Sequence, residues 1–182
     1  DNHDMSRIYT QLEEDYDLYR MALAYVLTMR GAPQIYYGTE ILMANPGTEG
    51  HGVIRSDFPG GWEGDRKNAF TGEGLSDKEL AAQNFVQTLL TWRRDKEVIH
   101  SGRLTHFVPE DGTYVYFRHD DSDSVMVVLN KNTEEVQLDL LRFDERLEGY
   151  QKASDVITGE SMQLGGALTL PARSVRVLEL HR

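Results

Sequence analysis

From Val98 to the C-terminus, the apolar residues stop recurring every three or four positions and begin to alternate. Alternation sends successive side chains to opposite faces of an extended strand, so this half is committed to β structure. Seven runs carry the pattern, at 103–108, 113–119, 125–130, 134–139, 151–156, 167–170 and 175–180. Between them stand turn formers such as Asp111-Gly112, Lys131-Asn132, Thr158-Gly159 and Gly165-Gly166. The charged run 120–123 reads as a solvated hairpin turn. Short strands at this spacing predict an antiparallel β-sandwich. Runs 113–118 and 125–129 read as central strands. Run 174–180 alternates cleanly, which predicts one wet and one buried face.

The first half has a different texture. Leu18, Met21, Ala22, Tyr25, Val26 and Met29 recur at helical steps and predict a helix over about 15–30 with that stripe as its apolar face. Gly31 and Pro33 close it. Gln34-Ile35-Tyr36-Tyr37, ended by Gly38, reads as a buried parallel strand. A glycine-rich loop follows to about Leu75, with Phe58, Trp62 and Phe70 among Arg55, Asp57, Asp65 and Arg66. Sugars stack on aromatic rings and bond to carboxylates and guanidinium groups, so this mixture suits a carbohydrate site. Ser76 and Glu79 form a capping box for a second helix, whose stripe is Ala82, Phe85, Leu89 and Trp92. The division into domains falls at 1–97 and 98–182.

The formal net charge of -11 repels phosphate backbones and anionic lipid, so nucleic acid and membrane insertion are excluded as expectations. A neutral sugar is compatible with it. There is no cysteine, hence no disulfide or thiolate metal site.

The chain opens on Asp1-Asn2-His3-Asp4, two carboxylates, an amide and an imidazole in four residues. Alone, this is a polar terminus, a metal cluster or part of an active site. Asp1-Asn2-His3-Asp4 resembles the fourth signature region of the α-amylase superfamily, retaining hydrolases of α-linked glucans. The segment from Gly31 to Glu40 resembles that family's eighth-strand motif. Arg55-Ser56-Asp57-Phe58-Pro59-Gly60-Gly61-Trp62, with Gly64-Asp65 and Asn68-Ala69-Phe70 after it, resembles the neopullulanase and cyclomaltodextrinase branch.

The resemblance implies an α/β plus all-β chain, the C-terminal remnant of a (β/α)8 TIM barrel followed by an antiparallel β-sandwich. It implies Asp4 as the catalytic transition-state stabiliser and His3 as a contact to the same sugar. The nucleophile and general acid of a retaining hydrolase would then lie on earlier strands, upstream of Asp1, and the chain alone would be inactive. Arg55, Asp57 and Trp62 are either glucan contacts or loop anchors, Glu40 is either a catalytic group or, in preference, a structural hydrogen-bond partner, and His51 has no assigned role. No cofactor is expected in these residues, and calcium is expected only in the longer enzyme. The expected partner is an α-glucan such as starch, pullulan or a cyclodextrin, with self-association through residues 1–97. The resemblance points to a periplasmic or cell-envelope setting. A rival reading is a noncatalytic carbohydrate-binding module on the β half, where Tyr114 and Tyr116 share one strand face.

Overall fold

A computed structural model describes all 182 residues. In chain order the helices are α1 (Ile8–Gln11), α2 (Tyr16–Thr28), α3 (His51–Ile54), α4 (Asp77–Arg94), α5 (Glu97–His100) and α6 (Asp144–Leu147). The strands are β1 (Arg103–His106), β2 (Thr113–His119), β3 (Ser124–Asn130), β4 (Val136–Asp139), β5 (Lys152–Asp155), β6 (Ser161–Gln163), β7 (Ala167–Leu170) and β8 (Ser174–His181). No helix is long and apolar enough to cross a membrane. Two compact units emerge, one of residues 1–19 and 33–87, the other of 20–32 and 88–182. They do not follow the linear division at 97/98, because the later turns of α2 and α4 pack with the strands.

The first unit is built from short helices and turns. Asp15 Oδ1 accepts from the N–H groups of Asp17 and Leu18 at 2.9 and 3.0 Å, capping α2. Ser76 and Glu79 form the expected reciprocal box on α4. Glu79 Oε2 accepts from the Ser76 N–H at 2.8 Å, and Ser76 Oγ from the Glu79 N–H at 3.3 Å. The expected strand at Gln34–Tyr37 does not form. A strand exists only where its N–H and C=O groups meet a neighbour's ladder. Here the Tyr36 carbonyl accepts from Thr39 N–H, and the Tyr37 carbonyl from Arg7.

The second unit is a β-sandwich. Its six-stranded sheet runs β1-β2-β3-β8-β5-β6, and its two-stranded sheet pairs β4 with β7, all antiparallel. Val115, Phe117, Met126, Val128, Ala153, Leu178 and Leu180 point inward, onto Leu138, Leu168, Leu170 and Phe143. The opposite face of the large sheet is covered as well. Tyr116 hydroxyl pairs with Thr28 Oγ1 on α2, and Trp92 Nε1 on α4 donates to Glu179 at 3.0 Å. β3 is therefore buried along its whole length. The expectation of one wet face on β8 fails for the same reason, since Val175 and Val177 on one face and Leu178 and Leu180 on the other are all buried.

Helix α2 also turns a different face inward from the one expected. Tyr19, Leu23, Ala24 and Leu27 are buried, while Tyr25 and Val26 are about two-fifths exposed. From Leu18 to Met29 the helix is apolar nearly all round, so its periodicity does not select a face and packing does.

Candidate active site

The opening motif is a tight turn. Asn2 Oδ1 accepts from the Asp4 N–H at 2.8 Å, and the Asn2 carbonyl from Met5 N–H at 3.3 Å. Asx turns of this kind leave the intervening side chains outside the loop. His3 and Asp4 accordingly project to solvent, with side chains 62% and 59% exposed. Asp1 is turned the other way. Its carboxylate accepts from Thr39 Oγ1 at 3.1 Å and from the Ile8 N–H at 2.9 Å, which makes it a structural anchor.

Arg55 and His3 flank Asp4. Arg55 Nη2 donates to Asp4 Oδ1 at 2.9 Å, and His3 Nε2 lies 3.1 Å from Asp4 Oδ2. Arg55 follows directly on α3. Its Nε donates to the His3 carbonyl at 3.0 Å, and its Nη2 lies 2.9 Å from His51 Nδ1. For His51 to accept there, its ring proton must sit on Nε2. His51 and Arg55 are four residues apart on one helical face, a spacing that marks them as neighbours once α3 is known to be helical.

A second arginine ties the same two segments in the opposite sense. Arg7, 1% exposed, donates from Nε to the Ile54 carbonyl at 2.9 Å and from Nη1 to the Tyr37 carbonyl. Its N–H donates to Asn45 Oδ1 at 2.8 Å, and its guanidinium lies 4.2 Å from the Tyr36 ring centroid. Burial lowers the Arg7 pKa from its ordinary value, partly offset by Tyr36, Tyr37 and Glu40. Residues 3–7 thus hold 54–55 through Arg7, and 54–55 hold 3–4 through Arg55.

Asp57 and Trp62, the other residues read as glucan contacts or loop anchors, stand outside this cluster. Asp57 is exposed and is not drawn in. Trp62, 67% exposed, belongs to a loop pinned by Asp65, whose Oδ2 accepts from the Gly60 and Trp62 N–H groups at 2.7 and 3.1 Å. Gly60 has φ of 98°, and a Cβ there would lie 2.8 Å from the Asn68 Cα, so only glycine fits. Beside Trp62 is a small cavity of about 140 Å³ lined by Asp65, Arg66, Lys67 and Asn68. Phe58 and Phe70 meet edge to face at 5.1 Å. No group of three or more His, Asp or Glu side chains is arranged to hold a metal ion.

The family profile described as the α-amylase catalytic domain matches residues 1–127, a stretch that contains His3, Asp4, Arg55, Asp57 and Trp62. The chain belongs to the α-amylase family. A second profile, the cyclo-malto-dextrinase C-terminal domain, matches residues 104–179 of this α-amylase-family chain. A cyclomaltodextrinase from Bacillus sp is 31% identical over 134 residues, covering 72% of this chain and 21% of the relative. A maltogenic α-amylase from Bacillus acidopullulyticus is 28% identical over 190 residues, covering 98% and 28%. The crystal structure of an α-amylase from H.orenii superposes with a TM-score of 0.70 at 26% identity, covering 100% of this chain and 39% of that one. The chain therefore spans between a fifth and two-fifths of the length of these α-amylase-family proteins.

Proposed function

We propose that these residues supply the substrate-holding part of the active site of a retaining α-glucan hydrolase. The observation that supports it best is the catalytic-domain match over 1–127, together with an exposed Asp4 held between His3 and Arg55. A glycosidic carbon approaching an oxocarbenium ion is favoured by a fixed negative charge beside it. Asp4 supplies that charge, and His3 donates to a hydroxyl of the same ring. Arg55 fixes the Asp4 carboxylate, while Asp57 and Trp62 meet more distant sugars. The whole enzyme cleaves α-1,4 links, with α-1,6 links as a second activity, in starch fragments, pullulan or cyclodextrins. The periplasm or cell envelope is the setting that goes with this reading.

Retaining hydrolysis needs a nucleophile and an acid about 5–5.5 Å apart across the bond. The motif's other carboxylate, Asp1, is engaged by Thr39 and Ile8. This reading assigns the bond-breaking pair to none of the residues around Asp4, and on it the chain by itself holds a glucan without cutting it. The rival reading, a binding module with an exposed aromatic row on β2, loses its second ring, because Tyr116 is fully buried against Thr28.

The test is the proton spectrum of the His3 ring on addition of maltotriose. The reading expects the His3 signals to move, and to move several-fold less in Asp4→Ala. A His3 signal that ignores the sugar overturns it.

A further inference from the structure

On the second unit, where the start of its α2 segment leaves the large sheet, lies an open groove of about 390 Å³. That volume is within the roughly 300–1,000 Å³ of small-molecule sites. Its floor is Tyr114, Leu129 and Met21, and its rim is Glu110, Asp111 and Lys131. Tyr114 and Leu129 are direct cross-strand partners, so both face the groove side of the sheet.

Tyr114 is held from three directions. Its ring centroid lies 5.4 Å from that of Tyr116, 6.2 Å from His106 and 6.4 Å from Tyr25. A ring so braced stacks a ligand with little loss of side-chain entropy. The rim is equally set. Glu110 is paired with Arg142 Nη1 at 2.8 Å, and the Asp111 carbonyl accepts from Asn132 Nδ2 at 2.8 Å. Gly112, with φ of 73°, lets that turn close, since a Cβ there would collide with the Asn132 amide. The Lys131 N–H donates to the Gly112 carbonyl at 3.0 Å, which ties Lys131 to the same turn, and its exposed side chain lines the groove with Asp111.

The groove is neutral overall, since Glu110 is paired with Arg142 and the one remaining carboxylate, Asp111, is matched by Lys131. It offers a ring for an apolar sugar face and both an acceptor and a donor for hydroxyls. A charged ligand finds no surplus of opposite charge, and an apolar helix would bury the Asp111 and Lys131 heads unpaired. We propose that this groove is an auxiliary α-glucan subsite, remote in sequence from His3 and Asp4, which captures a segment of the same polymer. The proposal rests on the α-glucan reading of the active site.

The experiment is a titration of the uniformly 15N-labelled 182-residue chain with maltoheptaose, and in parallel with cellohexaose. The expected result is saturable movement of the Gly112, Thr113, Tyr114 and Lys131 amides by maltoheptaose alone, about tenfold weaker in Tyr114→Ala, the loss of one stacked ring. Lys131→Ala, an exposed change that spares the fold, should weaken it several-fold. Movement confined to residues 3–4 and 51–55 overturns the groove and leaves the active-site reading standing. No movement anywhere overturns both. Equal response to cellohexaose overturns the α-glucan specificity. Movement of the Gly112, Tyr114 and Lys131 amides on dilution of the chain without sugar, the sign of a second copy seated in the groove, overturns the subsite as well.

Discussion

Arg55 donates from Nη2 to Asp4 Oδ1 at 2.9 Å and from Nε to the carbonyl of His3 at 3.0 Å, so one guanidinium holds both the charge and the backbone of the opening motif. Fifty-one residues separate Arg55 from Asp4, and the intervening chain returns through α3 to make the contact. The reciprocal bond from Arg7 to the Ile54 carbonyl lies under it, out of solvent.

The two arginines should therefore separate stability from positioning. Arg55 and Asp4 are exposed, and ion pairs of that kind stabilise a fold by less than about 1 kcal/mol. Arg55→Met should barely move the urea midpoint yet shift the His3 ring signals. Arg7→Met leaves buried carbonyls unpaired and should cost about 2–4 kcal/mol. Equal losses of stability in the two variants would contradict this division.

Tyr116→Phe tests the seam between α2 and β2. The Tyr116 hydroxyl meets Thr28 Oγ1, which also donates to the Ala24 carbonyl at 2.6 Å. Thr28 keeps one partner in the variant, so the loss should be about 1 kcal/mol by thermal or chemical unfolding. A loss several times larger would mean that the hydroxyl carries more of the seam than this pair.

Glu179 gives the pH dependence a sign. Burial raises its pKa, but Lys96 and the Trp92 N–H outweigh that and hold it below the usual 4.5. A depressed folded value means that the unfolded chain binds the proton more readily. The contribution is complete above about pH 4.5 and disappears as pH falls through the folded value. His119 acts in a higher window. Burial, then Arg146, lowers its pKa from 6.5, so its protonation opposes folding as pH falls below about 6.5. Urea midpoints from pH 8 to 3 should fall in two stages, the first flattened by His119→Gln and the second by Glu179→Gln. A single stage unaffected by either change would contradict both assignments.

Exposed apolar side chains in residues 1–97 make association the expected behaviour. Trp62 and Phe70 are 67% and 73% exposed, and Tyr25 and Val26 form a second apolar face on α2. Such surface drives contact between copies. Sedimentation velocity should show mass rising with concentration, reduced in Trp62→Ser with Phe70→Ser and in Val26→Lys. A monomer at all concentrations would contradict this.

Much of the β half was legible because its rules are local. Asp111-Gly112 forces a turn, alternation assigns faces, and the 113–119 and 167–170 runs coincide with β2 and β7. The Ser76 and Glu79 box is likewise a contact within one turn of helix. What escaped depends on distant partners. Tyr36 and Tyr37 have strand propensity, but a ladder is made by neighbours, and Arg7 takes the Tyr37 carbonyl instead. The face of α2 is chosen by packing, since Leu18 to Met29 offers apolar residues all round. In the site, the structure brings His3, Asp4 and Arg55 together. Their support by Arg7 and His51 was hidden, because a buried arginine and a lone histidine carry no signal until the fold brings their acceptors near. Asp57 and Trp62, read as either glucan contacts or loop anchors, lie apart from that cluster.

The most direct measurement is an assay for new reducing ends when the 182-residue chain is incubated at high concentration with maltoheptaose. A chain that holds a glucan between His3, Asp4 and Arg55 but takes its nucleophile and acid from elsewhere produces none above the buffer rate. Robust turnover, abolished by Asp4→Asn, would contradict the account.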